Sequence, residues 1–178
     1  MQAEVIDGRK LAREVTDAVA AEVATMSRKP GLAVIIVGDD PASHLYVRNK
    51  VRAAEKVGFK SETIRLPAET AEADVLGRIA WLNSREDIDG ILVQLPLPAQ
   101  LNTLRVMAAV DPGKDVDGLH ALNAGRLTQG SRALIPCTPM GCMKIIKSVI
   151  PDLTGCHAVV IGASNIVGKP MAALLLEE

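Results

Sequence analysis

The sequence predicts a layered α/β fold, a mostly parallel sheet covered by helices. Two continuous apolar runs rich in β-branched residues, GLAVIIVG from Gly31 and GILVQL from Gly90, have the composition of strands buried on both faces. Segments with apolar residues at helical spacing alternate with such runs. Turns rich in Gly, Pro and Asp separate the two kinds of segment.

Each element has its own signal. From Arg9 to about Ser27 the residues Leu11, Val15, Ala18, Val19 and Val23 recur on one helical face, and Asp7 is placed to cap that helix. Gly31 to Gly38 is the first strand. Asp39, Asp40 and Pro41 form a turn, and a helix is expected from Ser43 to near Gly58. Lys60 to Leu66 is the second strand. Thr70 is the expected cap of a helix carrying Val75, Leu76, Ile79 and Leu82. Gly90 to Leu95 is the third strand, closed by Pro96 and Pro98. A loop-rich stretch is expected from Asp111 to Pro136. Thr138 is the expected cap of a helix with Pro139 in its first turn, running to about Ile150. Pro151 to Gly155 reads as a linker, His157 to Gly162 as a further buried strand, and Pro170 opens a last helix.

This order divides the chain into a domain over residues 1–150 and, over 151–178, the first strand and helix of a dinucleotide-binding sheet. Such a sheet needs several parallel strands, so the reading favours a truncated second domain. There are no internal repeats and no low-complexity segments.

Composition narrows the function. The 178 residues carry a net charge of −1 and form no basic stripe, so nucleic-acid binding has no electrostatic support. Trp81, Tyr46 and Phe59 are the only aromatic residues of their kinds, too few for a base-stacking platform. No apolar stretch is long enough to span a bilayer, and the start lacks the pattern of a secretory signal. Cys137, Cys142 and Cys156 are odd in number and form no Cys-x-x-Cys pair, which points away from a disulfide framework or zinc site and toward a reducing cytoplasm. His44 and His157 read as ordinary surface or loop residues without metal-ligand spacing.

Three groups of residues invite a chemical reading. On the helix after the first strand, Arg48, Arg52 and Glu55 look solvated, whereas the neighbours of Lys50 three and four positions away are Tyr46, Val47, Ala53 and Ala54. Lys50 therefore sits at the edge of the buried stripe. There loss of hydration favours the neutral amine and suits it as a base or proton relay. The alternative is a lysine that snorkels to water. Tyr46, one turn earlier on the same face, is placed to pack against a planar ligand. Gln94 lies at the carboxyl end of a buried strand, where ligands bind in open α/β sheets and where an amide is costly unless paired; the alternative is a glutamine that satisfies loop backbone. Asp115 and Asp117 in GKDVDGLH point to opposite sides of extended chain. One can tie down the loop while the other accepts parallel hydrogen bonds from a ligand's ring amide and amino group. Turn capping remains the alternative for either, and His120 reads as a support of this loop.

The segment VVIGASNIVGKP has the order strand, turn, helix. Gly162 supplies the tight turn, Gly168 permits close packing, and N–H groups at the helix start can meet a pyrophosphate. Ser164 replaces the middle glycine of G-x-G-x-x-G and the spacing is longer, so a generic strand–turn–helix stays open.

Taken together, VIDGR, VGDDPASHLYVRNK, DGILVQLPLP, KDVDGLH, PCTPMG and VVIGASNIVGKP occur in one order along the whole chain. In that order the chain resembles the bifunctional methylenetetrahydrofolate dehydrogenase/cyclohydrolase family. The resemblance implies a three-layer folate-binding domain followed by the start of a Rossmann-type domain. It implies that Lys50 is central to catalysis, that Tyr46 packs on the aminobenzoyl ring of the folate, that Gln94 orients Lys50, and that Asp117 holds the pterin ring. Asp115 is left with a structural role. Gly162, Ala163 and Ser164 match the nucleotide-binding segment. NADP is the implied cofactor; NAD stays open, because Ala163 stands where eukaryotic members carry an arginine for the 2′-phosphate.

The implied activity is oxidation of 5,10-methylenetetrahydrofolate to the methenyl cation, then its hydrolysis to 10-formyltetrahydrofolate, a step of one-carbon metabolism. A cytoplasmic enzyme is implied, homodimeric when full length, with tetrahydrofolate derivatives as ligands. Two alternatives remain: a folate-binding fragment without catalysis, and a monofunctional dehydrogenase.

Overall fold

The structure, a computed structural model, describes residues 5–178. It is an α/β fold with one three-stranded parallel sheet among these residues. The elements run α1 (Gly8–Thr25), β1 (Gly31–Val37), α2 (Pro41–Lys56), β2 (Lys60–Leu66), α3 (Glu72–Ser84), β3 (Gly90–Val93), α4 (Thr103–Ala109), α5 (Ala121–Thr128), α6 (Cys137–Val149) and α7 (Gly168–Leu176). They divide into two compact units, one spanning Thr16–Val116, the other formed by residues 5–15 with Asp117–Glu178.

In the first unit the strand order is β2-β1-β3. β1 is the central strand, paired over its whole length with β2 and from Leu32 to Ile35 with β3. A central strand must be apolar on both faces, which is why the continuous run of Gly31–Val37 is found there. Val34, Ile36 and Leu92 on one face are sealed by Val47 of α2. Ala33, Ile35, Ile91 and Val93 on the other face are also buried. The fully buried side chains Val75, Ile79 and Leu82 of α3, Val106 of α4 and Val110 just after α4 complete the core. Each such aliphatic side chain contributes roughly 1.5–3 kcal/mol by leaving water. At the outer edge of β3, Asp115 forms an isolated parallel bridge with Ile91, and the Ile91 N–H donates to the Lys114 carbonyl at 2.7 Å.

The second unit has its own core, in which Leu127 of α5, Met143 of α6 and Met171 and Leu174 of α7 pack with Ile135 and Ile146.

Several sequence expectations hold with small shifts. Asp7 caps α1, its Oδ1 accepting from the N–H groups of Arg9 and Lys10 at 3.0 Å. α2 starts two residues earlier than expected, because Asp40 is its cap. Its carboxylate accepts from the Ser43 N–H at 2.7 Å, and Pro41 follows, where a missing N–H costs nothing. The Ser43 hydroxyl and N–H hold the Asp40 carboxyl below its ordinary value.

Other expectations are corrected. Thr70 does not cap α3: its hydroxyl donates to the Pro67 carbonyl at 2.7 Å to close a turn, and Ala71 is the cap residue, with no side-chain bond. Glu72 and Asp74 in the first turn supply the favourable charge there instead. Thr138 likewise lies inside α6, which begins at Cys137 after Pro136. The stretch expected as loop from Asp111 to Pro136 contains α5, two turns long, with only Asn123 and Leu127 buried four positions apart. α4 was not anticipated; Asn102 caps it, accepting from the Arg105 N–H at 3.1 Å. The expected strand His157–Gly162 is not a strand. Its residues are exposed, Ile161 to 98%, and among the described residues no segment pairs with it. An apolar run is a strand only where a neighbour completes its hydrogen-bond ladder.

Candidate active site

α2 follows β1 after a short turn, so its first turns lie near the carboxyl end of the sheet, the end at which ligands bind in open α/β folds. Lys50 is half-buried and engaged with the protein. Of its helical neighbours, Val47 and Ala54 are buried, whereas Tyr46 is 61% exposed and Ala53 is exposed. Lys50 thus stands on the border between the face of α2 that seals the sheet and the face that meets solvent, and the Tyr46 ring beside it is open to a ligand.

Gln94 follows β3 directly. Its N–H donates to the Ile35 carbonyl at 2.9 Å, continuing the ladder one residue past the strand. Side chains alternate along extended chain. Gln94 therefore projects to the same side as Leu92, which is the side α2 covers. Its Nε2 donates to the Leu95 carbonyl at 2.6 Å, while its Oε1 is buried and finds no donor among the described residues. The next peptide bond, Leu95–Pro96, is cis. A buried amide oxygen without a donor costs free energy unless something outside the fold supplies one. One end of the side chain thus satisfies loop backbone, and the other has no donor among the described residues.

Asp115 is 1% exposed and belongs to the bridge on β3, which makes it part of the sheet edge. Asp117 is half-buried and falls in the second unit. His120 caps α5, its Nδ1 accepting from the Leu122 N–H at 3.0 Å.

The structure thus places Tyr46, Lys50 and Gln94 on one unit and one side of its sheet, and places Asp117, Gly162, Ala163 and Ser164 in the other unit. There Gly162 has φ +123°, a conformation that disfavours any side chain. The first residue of α7, Gly168, approaches it so closely that a Cβ would lie 2.3 Å from the Gly162 carbonyl oxygen. Ser164 Oγ accepts from the N–H groups of Val167 and Gly168 at 3.2 and 3.3 Å, satisfying part of the helix start. Gly162, Ala163 and Ser164 are all exposed.

The family model for the tetrahydrofolate dehydrogenase/cyclohydrolase catalytic domain matches residues 6–117, and that for the corresponding NAD(P)-binding domain matches residues 136–178. The chain belongs to the tetrahydrofolate dehydrogenase/cyclohydrolase family. Among relatives of this family, it is 53% identical over 180 residues to bifunctional protein FolD 2 of Pseudomonas savastanoi pv. phaseolicola, an alignment covering 99% of this chain and 60% of that protein. The bifunctional FolD of Campylobacter jejuni superposes with a TM-score of 0.94 at 40% identity, covering 98% of this chain and 63% of the other. The FolD of Trypanosoma brucei, solved with NADP cofactor and an inhibitor, gives a TM-score of 0.93 at 34% identity, covering 99% and 62%. The chain spans about three-fifths of the length of these relatives.

One structural residue escaped the sequence reading. Lys114 Nζ donates to the carbonyls of Asn83 at 2.8 Å and Arg85 at 2.7 Å, and more weakly to that of Leu82, closing the carboxyl end of α3. Its partners lie 29 to 32 residues away in sequence, so no local pattern marks it.

Proposed function

We propose that this chain carries the folate site of an NADP-dependent methylenetetrahydrofolate dehydrogenase and methenyltetrahydrofolate cyclohydrolase. The observation that carries the reading is the unsatisfied Gln94 oxygen on the side of the sheet covered by the helix bearing Lys50 and Tyr46. A donor is called for at that oxygen, and the Lys50 ammonium is one of the right chemistry.

In this reading Tyr46 stacks on the aminobenzoyl ring of the substrate, and Asp117 accepts paired hydrogen bonds from the pterin. When substrate binds, Gln94 Oε1 accepts from the Lys50 amine and holds it in register with the reacting carbon. Hydrolysis of the methenyl group needs a proton taken from the attacking water and one delivered to the departing ring nitrogen; Lys50 at the border of the core is suited to relay it. The segment of Gly162, Ala163 and Ser164 fits a dinucleotide, because the glycine turn and the start of α7 meet backbone to backbone with no side chain between. NADP, when bound there, supplies the hydride acceptor for the oxidation. The protein's part in that step is alignment and exclusion of water. The relatives' names support the assignment, and the structure solved with NADP supports the cofactor. We further propose a cytoplasmic homodimer for the whole enzyme.

The test is absorbance of the methenyl product and of reduced cofactor when the 178-residue chain is mixed with 5,10-methylenetetrahydrofolate and NADP. Signal above the blank, with hydrolysis of the methenyl product lost in Lys50→Met, supports the bifunctional reading. Calorimetric binding of tetrahydrofolate without turnover supports the second reading, a folate-binding polypeptide. Hydrolysis at the parent rate in Lys50→Met overturns the role given to Lys50.

A further inference from the structure

On α2, positions 44, 48, 52 and 56 are His, Arg, Arg and Lys, and the sole acid of the helix is Glu55. Residues four apart on a helix stand one above the other, and like charges at that spacing are unfavourable by about 0.2–0.5 kcal/mol per pair. The ridge thus concentrates positive charge where a solvated surface would intersperse both signs.

A second element adds to it. The register pairs Val34 with Thr63, so Thr63 and Arg65 of β2 project to the face of the sheet that α2 covers. Between the two elements lies a groove of about 590 Å³ walled by His44, Arg48, Arg52, Thr63 and Arg65, with Val47 beneath and no carboxylate in its lining. His44 Nδ1 is 3.2 Å from Arg65 Nη1, and the exposed Asp39 reaches His44 Nε2 at 3.6 Å. The side chains of Arg48 and Arg52 make no hydrogen bond or ion pair among the described residues.

Three guanidinium groups thus border one groove, and none of them is paired with a carboxylate among the described residues. We propose that this groove binds a compact polyanion bearing at least two phosphate or carboxylate groups, which planar guanidinium forks engage bidentately. The site is separate from the one assigned to Lys50. At 3.6 residues per turn, Lys50 lies roughly 160° around the helix from Arg48 and Arg52, and neither it nor Tyr46 lines the groove. The inference does not depend on the proposed enzymatic activity.

Titration calorimetry of the chain at low ionic strength, with inorganic tripolyphosphate and separately with citrate, tests it; sodium chloride at matched ionic strength is the blank. One saturable site is expected, weakened at least tenfold in Arg48→Gln/Arg52→Gln and in Arg65→Gln and unchanged in Arg78→Gln, a surface charge on α3 beside Trp81. Response to tripolyphosphate alone assigns the ligand to phosphates, and response to citrate alone assigns it to carboxylates. Thermal melting gives an independent reading: the double variant is expected to melt at or above the parent without ligand, and tripolyphosphate to raise the melting temperature of the parent and of Arg78→Gln but not of the double variant. No saturable binding of either anion, or equal weakening in Arg78→Gln, overturns the proposal. So does a double variant that still gains stability from tripolyphosphate.

Discussion

Gln94 donates its side-chain amide N–H to the carbonyl of the very next residue, Leu95, at 2.6 Å, and its own amide oxygen is buried without a donor among the described residues. A fold shaped only for stability would not retain that arrangement, since an unsatisfied buried polar atom costs about 1–3 kcal/mol. Gln94→Met keeps the length of the side chain and removes the orphan oxygen. Urea unfolding of this variant is expected to show stability equal to the parent or higher, while hydrolysis of the methenyl substrate falls at least tenfold. A variant that is clearly less stable yet fully active would make Gln94 a structural tie.

Lys114 makes the opposite kind of contribution. Its ammonium closes the end of α3 by bonding carbonyls that the helix itself cannot satisfy. Lys114→Met is expected to lower unfolding free energy by about 1–3 kcal/mol, because charge-assisted bonds are lost and half-buried carbonyls are left unpaired. The urea midpoint measures it. An unchanged midpoint would mean that water replaces the lysine without loss.

These two residues show where sequence is legible and where it is not. The strand Gly31–Val37 could be read within a residue because burial on both faces of a parallel sheet leaves a compositional mark on every position. Lys50 could be singled out because a helix places its neighbours at known spacing. The Lys114 cap and the Gln94 bond depend on which loop returns to which carbonyl, and that is set by tertiary packing. His157–Gly162 went wrong for a related reason: its composition is that of a strand, but pairing belongs to the neighbour. The short helices α4 and α5 bury two residues each, too few for periodicity to stand out.

Acid sensitivity follows from Asp89. Its carboxylate takes both guanidinium N–H groups of Arg28, at 2.6 and 2.9 Å, and the Gly31 N–H at 2.8 Å. The Arg28 bonds chiefly, and the Gly31 bond with them, hold its carboxyl below the ordinary value. A folded-state value below the unfolded one gives a contribution that is fully present above the unfolded aspartate value, about 3.9. It is lost as pH falls through the folded value. Urea midpoints of the parent and Asp89→Asn are therefore expected to differ at neutral pH and to converge in acid. A gap independent of pH would show that the carboxylate's charge contributes nothing here.

The glycines of the second unit make a paired prediction. Gly141 lies inside α6 with open space where a methyl group would sit, so Gly141→Ala is expected to raise stability by about 0.5–1 kcal/mol through helix propensity alone. At Gly168 the same methyl group would meet the Gly162 carbonyl oxygen at 2.3 Å and its carbon at 2.6 Å. Those atoms are backbone and cannot rotate aside, so Gly168→Ala must push the turn of Gly162, Ala163 and Ser164 away from α7. A loss of roughly 1–3 kcal/mol is expected, of the size seen for overpacked sites. Weaker NADP binding, measured by fluorescence of the bound reduced cofactor, is expected alongside. If Gly168→Ala proves as benign as Gly141→Ala in both measurements, the close approach is incidental and the dinucleotide assignment of this turn loses its physical basis.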